Sequence, residues 1–181
     1  MKKLNEFVSS LSDGVAKNSL MDVVITPPKF MTENKYAEFL TFRCESADLP
    51  GKNLSIDERK DYVFSSKHPN GVTFEDLSLT FLCGSKMKER QFFDEWMEKI
   101  VGTGDGKSTF YNEFISNSII VNLYSGKNTS KNRYPNAKTC SFTFNKIFPT
   151  TLAKQQVSWT SEEVLKMTVS FTYEYWTVEY Y

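Results

Sequence analysis

The stretch from Leu165 to Tyr175 constrains the fold more than any other. Leu165, Met167, Val169, Phe171, Tyr173 and Tyr175 alternate with Lys166, Thr168, Ser170, Thr172 and Glu174. Side chains two apart share a face of a strand, so one face is apolar and the other polar along the whole run. That pattern belongs to an antiparallel sheet with one buried and one wet side. Thr73 to Cys83 repeats it, with Leu77, Leu79, Phe81 and Cys83 opposed to Asp76, Ser78 and Thr80. Leu20 to Thr26, closed by Pro27-Pro28, reads as another strand. So do Phe39 to Ser46, Ser118 to Ser125, and Thr139 to Phe148, the last ended by Phe148-Pro149-Thr150. Gln155 to Trp159 is a further short candidate. Fifteen Phe and nine Tyr favour the same element.

One strong helix interrupts the strands. From Lys86 to Val101 the apolar positions Phe92, Phe93, Trp96, Met97 and Ile100 fall on one stripe. Asp94, Glu95, Glu98 and Lys99 fill the other side, with Glu95 and Lys99 an i,i+4 pair. A weaker amphipathic pattern, Leu4, Phe7, Val8, Leu11 and Val15, predicts a short N-terminal helix. Turn signals separate the elements. Ala47 to Asn53 holds Pro50-Gly51, and His68-Pro69-Asn70-Gly71 reads as a second turn. Between them Leu54 to Ser65 is polar and extended, an exposed hairpin arm or a long loop. Lys127 to Arg133 is a polar loop. At 181 residues and 40% hydrophobic, the chain suits one domain with a real core. The expectation is a mainly β, antiparallel fold with one helix packed on it.

Charge narrows the function. Lys+Arg and Asp+Glu balance at 22 each, so nothing favours a tight grip on nucleic acid. No apolar run is long enough to span a bilayer, and Glu6 and the serines interrupt the start where a signal peptide needs continuous apolar residues. An odd count of three Cys fits a soluble protein kept in a reducing cytoplasm.

Several segments imitate chemistry without completing it. Gly102 to Thr109 resembles a phosphate loop, yet Val101 stands where its first Gly belongs, and the segment follows a helix instead of a strand. Cys44, Cys83 and Cys140 each fall on the apolar face of a predicted strand, beside Phe42, Phe81 and Phe142, where a free Cys acts as a small hydrophobe. His68 is the single histidine and lies in a turn with no nucleophile signature. Asp57-Glu58, Asp94-Glu95 and Glu162-Glu163 are sequence neighbours whose side chains diverge, so none forms an acid–base dyad. No residue is assigned to catalysis, a cofactor or a metal. At the aromatic end, Phe171, Tyr173 and Tyr175 fall on the core face. Trp176, Tyr180 and Tyr181 fall outside that pattern and read as contacts with a neighbouring chain.

Five segments, in this order, resemble the tail tube proteins of contractile-tailed bacteriophages. They are Phe42 to Gly51, a strand ending in a Leu-Pro turn; the helix Arg90 to Trp96 after the strand Asp76 to Leu82; Tyr111-Asn112-Glu113-Phe114; Phe148-Pro149-Thr150 followed by Val157-Ser158-Trp159; and Val169 to Trp176. Together they span Leu20 to Trp176. The resemblance implies an antiparallel β-barrel or sandwich of the tail-tube type, one domain over residues 1–181, extended past Trp176 by Thr177 to Tyr181. It implies hexameric rings stacked into a DNA-conducting tube inside a contractile sheath, in a virion tail assembled in the host cytoplasm. Partners would be further copies and the sheath, baseplate and tail-terminator proteins, with DNA passing unbound and no membrane. Lys52 to Ser65 would be an arm reaching a neighbouring subunit or ring. Its interface candidates are Leu49, Pro50 and Gly51 at the root and Asn53, Asp57, Arg59 and Tyr62 along it. The nearest alternative is a baseplate tube-initiator or the inner tube of an injection machine. The opposed classes are a thiol hydrolase using a Cys and His68, and a ligand-binding β-sandwich module.

Overall fold

A single strand, Lys138–Leu152, ties the molecule together by pairing in two sheets. The computed structural model describes residues 9, 20–31, 36–61, 64–102, 104, 106–125, 138–160 and 162–181. In chain order these contain β1 (Met21–Ile25), a 3-10 turn at Lys29–Met31, α1 (Tyr36–Arg43), β2 (Cys44–Asp48), β3 (Lys52–Asp61), β4 (Phe64–Phe74), β5 (Leu77–Leu82), α2 (Lys88–Ile100), α3 (Tyr111–Phe114), β6 (Ser116–Tyr124), β7 (Lys138–Leu152), β8 (Lys166–Thr172) and β9 (Tyr175–Tyr180). The predicted N-terminal helix and the 127–133 loop lie outside the described residues.

The first sheet runs β1-β6-β7-β9 and the second β2-β5-β8-β7, all antiparallel. The N-terminal part of β7 pairs with β6 and β9, and Phe148 to Leu152 pair with β8. The switch occurs at Lys146, whose φ of 52° is left-handed. A non-glycine residue there bends the strand sharply. The chain turns the same corner again between β8 and β9, where the Glu174 N–H donates to the Asn145 carbonyl at 3.1 Å. Lys146 Nζ and Glu174 Oε2, 2.5 Å apart, close the two corners on each other.

Both sheets contribute to one core. Val23, Ile25, Ile119, Val121 and Phe144 of the first sheet join Leu77, Leu79, Phe81, Met167, Val169 and Phe171 of the second. Helix α2 caps it with Phe92, Phe93 and Trp96, spaced to share one helical face. Phe93 lies 5.4 Å from Phe81 and 5.8 Å from Phe171, ring centre to ring centre. Trp96 Nε1 donates to the Phe114 carbonyl at 2.7 Å, so its one polar atom is satisfied in the interior.

Five sequence expectations change. Phe39 to Ser46 is helix up to Arg43, because Ala37 and Leu40, three apart, are buried while Phe42 is 87% exposed. That is a helical period, not an alternation. Thr73 to Cys83 splits at Glu75-Asp76, where β4 leaves the body and β5 enters it. His68-Pro69-Asn70-Gly71 lies inside β4 and produces a bulge opposite Ser55 and Ile56 instead of a turn. Pro69 is tolerated there because both strands of a two-stranded ribbon are edges. Phe148-Pro149 does not end β7, since Pro149 sits on the sheet's outer strand. Gln155 to Trp159 forms no strand.

Trp96→Ala is expected to destabilise the subunit by about 3–5 kcal/mol. Thermal denaturation should register this as a Tm loss on the order of 10 °C.

Candidate assembly surfaces

Among the described residues the longest strands after β7 are β3 and β4, and they pair only with each other. They form a hairpin arm that stands off the body between β2 and β5, with its described side chains almost all exposed. Leu54 and Ile56 are about three-fifths exposed, Phe64 83% and Val72 43%. Leu54 and Val72 are direct cross-strand partners, and Ile56 lies two residues along from Leu54. These three make an apolar patch on one face of the arm.

The arm's root is tied down by one carboxylate. Glu75 Oε2 accepts from the Gly51 N–H at 3.4 Å, and Oε1 from Asn53 Nδ2 at 3.2 Å. A Cβ at Gly51 would meet Glu75 Oε2 at 3.3 Å, so the small residue lets the two legs close. Leu49 packs against the core, and half-buried Pro50 follows it. Phe74 anchors the other leg, 6.1 Å from Tyr173 and 6.3 Å from Trp176. Tyr173 adds a hydrogen bond from its hydroxyl to the Glu75 carbonyl at 2.6 Å. Burial, then the charges of Asp76 and Glu75, push that phenol up to about 12. It stays a donor at any ordinary pH.

The structure therefore gathers Leu49, Pro50, Gly51 and Asn53 at the root and spreads Asp57 and Arg59 along the arm, opposite His68 and Ser66. Tyr62 lies outside the described residues. Trp176 needs correcting. Its ring is turned into its own subunit, 5.9 Å from Phe142, because the corner at Glu174 shifts which side chains of the closing segment face inward. Its Nε1 is buried with no hydrogen-bond partner among the described residues. Thr177 to Tyr180 are no loose appendage but continue β9 along β7. Tyr180 and Tyr181 are exposed, at 80% and 69%, roughly 13 and 17 Å of strand beyond Trp176.

Sequence reasoning missed a second exposed apolar set. Phe39 and Phe42 on α1, Phe110, and Val157, Trp159 and Val164 between β7 and β8 are all exposed, Trp159 entirely. Its only sequence signal was a Trp in a polar segment, which a short strand explained equally well. Between α1 and the start of α2 lies a cavity of about 270 Å³, lined by Phe39, Leu40, Arg43, Met87 and Glu89 among others. Glu89 is 4% exposed, pairs with Arg43, and accepts from the Gly84 N–H at 3.0 Å. A Cβ at Gly84 would meet Arg43 Nη1 at 2.5 Å, so a larger residue there would push the end of that side chain aside.

The chemical candidates are placed apart. His68 sits on the arm beside Ser66 Oγ at 3.1 Å. The Cys44 thiol is pushed up to about 12 by burial, partly offset by a backbone hydrogen bond with Ser46. Burial also raises Cys140. Both are held as thiols, the unreactive form. Among the described residues no three His, Cys, Asp or Glu side chains are grouped to hold a metal. No described helix is long and apolar enough to cross a membrane.

Two corner-joined antiparallel sheets and a hairpin that, among the described residues, pairs only with itself define a mainly β, antiparallel fold. The chain belongs to the phage tail tube protein family, whose profile matches residues 16–179. No curated protein matches its sequence. Solved structures share the fold at low identity. The extended sheath–tube complex of PVC, an extracellular contractile injection system, contains a chain with a TM-score of 0.66 at 11% identity, covering 96% of this chain and 97% of that one. The tube-terminating cap of the anti-feeding prophage gives 0.63 at 14% identity, covering 93% of each chain. The PVC sheath/tube terminator gives 0.62 at 12% identity, covering 92% of this chain and 97% of that one.

At pH 8 Cys44 should react with iodoacetamide at least about a hundredfold more slowly than a free cysteine, and faster as pH climbs toward 12. Mass spectrometry of labelled peptides measures this. Arg43→Ala strands Glu89 in the interior and should lower stability by about 2–3 kcal/mol, short of a fully buried pair because Arg43 is half-exposed. A lower urea midpoint at unchanged slope is the readout.

Proposed function

We propose that this chain is the structural subunit of a contractile tail tube, one tail-tube-like domain that closes into hexameric rings and stacks into a channel. The observation that carries the reading is the arm. A lone two-stranded hairpin is marginal in water, and this one exposes Leu54, Ile56, Phe64 and Val72. Such a device makes sense when a neighbouring subunit or ring covers it. Head-to-tail contacts close a ring when the rotation allows, and stacked rings extend as a tube. Pairing the open edges across subunits also removes the templates for misassembly.

The second sheet supports the channel. On β5 and β8 its outward side chains include Ser78, Thr80, Thr168, Ser170 and Thr172, with Asp48 of β2 beside Ser78, and the Thr80 and Thr168 hydroxyls meet at 3.0 Å. Lys166 is engaged by Glu45 at 2.6 Å. A hydroxyl surface with its cation neutralised offers a passing polyanion little to hold. This face would line the channel and let DNA slide through unbound. The role is structural and not catalytic. Partners would include the sheath, baseplate and tail-terminator proteins, in a virion tail assembled in the host cytoplasm. The fold also occurs in an injection-system sheath–tube complex, a tube-terminating cap and a sheath/tube terminator. Particle length separates these roles.

Removing Lys52 to Thr73 leaves a short connection between β2 and β5, which are already paired, so the body should fold. The full chain should form six-membered rings or hollow tubes in negative-stain images, and the arm-deleted chain should stay monomeric by light scattering. Rings from the deleted chain would remove the arm from assembly. A saturable small ligand on a strictly monomeric full chain would favour a binding module. Single rings that never lengthen would favour a tube-initiator.

A further inference from the structure

The second sheet has β2 on one flank and residues 148–152 of β7 on the other, and among the described residues each of these stretches pairs with one neighbour only. Three antiparallel steps separate them, so they run in opposite directions. A second copy's β2 can therefore continue the sheet beyond residues 148–152 without changing its pairing. The lengths agree as well, since β2 has five residues and 148–152 is an equal span. Ala47 of β2 and Leu152 of β7 fall in one row across the sheet, so β2 starts at the end where β7 finishes.

Helix α2 runs from one flank to the other. Near its start Glu89 pairs with Arg43 of α1, and α1 leads directly into β2. Roughly 12–18 Å further along, Met97, Ile100 and Val101 join Phe148, Pro149 and Leu152 around an open groove of about 860 Å³. Asp94, Glu98 and two threonines complete the lining, and Asp94 is engaged by Arg90 at 3.4 Å. The groove and α1 are both on the core side of the sheet. Leu40 of α1 belongs to the core, and Pro149 and Leu152 stand opposite Phe171 and Val169. Phe42 follows Leu40 by roughly 200° of helical turn, which points it away from its own core, 87% exposed. The chain thus carries an aromatic knob on the β2 flank and an apolar groove on the β7 flank, the layout of a head-to-tail contact. The groove has ample room for the ring, since ~150 Å³ accommodates a benzene in an engineered core.

We infer that Phe42 of one subunit seats in the groove between α2 and residues 148–152 of a second copy of this chain. This rests on the ring reading above and names the residues of one lateral contact within it. Main-chain pairing between two edges is indifferent to sequence and can slip by two residues without exchanging faces. A side chain held in a pocket fixes the register. The contact also lies away from the hydroxyl face, so it closes the joint without intruding on the channel.

The test uses the full chain and the variants Phe42→Ala, Val101→Asp, Phe42→Cys, Val101→Cys and the double Phe42→Cys/Val101→Cys. Phe42 is 87% and Val101 54% exposed, so matched thermal melts control for folding. Phe42→Ala and Val101→Asp should each raise the concentration needed for ring assembly at least about tenfold, as loss of an aromatic anchor does. A short bismaleimide should join copies of the double variant into a ladder of bands up to the full ring, and neither single cysteine variant should give that ladder. Rings that form at the wild-type concentration in Phe42→Ala, or a double variant that never joins within rings, would overturn the inference and leave the ring reading standing. Joining only in stacked tubes would overturn it too, because the contact would run between rings. So would a Phe42→Cys variant that labels freely in rings and is shielded only after sheath protein is added, because the occupant would not be a second copy. A full chain that stays monomeric at every concentration would overturn both readings.

Discussion

Everything in this molecule hangs on the bend at Lys146. A straight β7 would serve one sheet, and the apolar faces of β5 and β8 would find nothing opposite them. With the bend, one 15-residue strand feeds two sheets whose inner faces close on a common core. The left-handed backbone at Lys146 is strained for a residue with a side chain, so the surroundings must hold it. The Glu174 N–H to Asn145 bond and the tight packing of Phe144 and Ile147 do so, and the exposed Lys146–Glu174 ion pair adds only about 0–1 kcal/mol. The same corner decides where the aromatic tail goes. It carries Trp176 inward toward Phe142 and sends β9 back along β7.

The arm continues this architecture outward. β2 and β5 are neighbours in the second sheet, and the arm is the excursion between them. Its root is fixed by the Glu75 carboxylate, which holds Gly51 and Asn53, and by Phe74 and Tyr173, which pack on each other and on the core. Beyond the root its strands have, among the described residues, only each other. The body can therefore be rigid while the arm's apolar patch is left for another surface. That division suits membership of the phage tail tube protein family better than any chemistry the chain contains. The Cys44 and Cys140 thiols are held protonated and His68 is stranded on the arm.

Much of this was legible in the residues. The alternation in β5 and β8 and the stripe Phe92, Phe93 and Trp96 are properties of single elements, and each element buried the face its period predicted. The exposed arm was legible too, because its sequence is polar and lies beyond a Pro-Gly turn. What escaped were events between elements. Nothing local marks Lys146 as a corner or Glu174 as its echo, so the closing segment read as one strand and Trp176 as a surface residue. Pro69 and Pro149 read as breaks because a lone sequence does not reveal which strands are edges. Helix α1 was hidden because Leu40, Phe42 and Cys44 alternate by chance, and only the burial of Ala37 with Leu40 exposes the true period. The α1–α2 cavity joins parts some forty residues apart, and no periodicity reports such a meeting.

The arm's isolation from its own body has a kinetic meaning. A hairpin with no support of its own spends part of its time frayed, and fixing it against a neighbour removes that freedom. Two free subunits must both make this sacrifice for a single small contact. A subunit arriving at a completed ring meets several prepared surfaces at once. Growth at an existing end is then favoured over spontaneous starts in solution. Such a chain starts new filaments only above a threshold concentration, and below it a template can fix when, where and in which direction the filament begins.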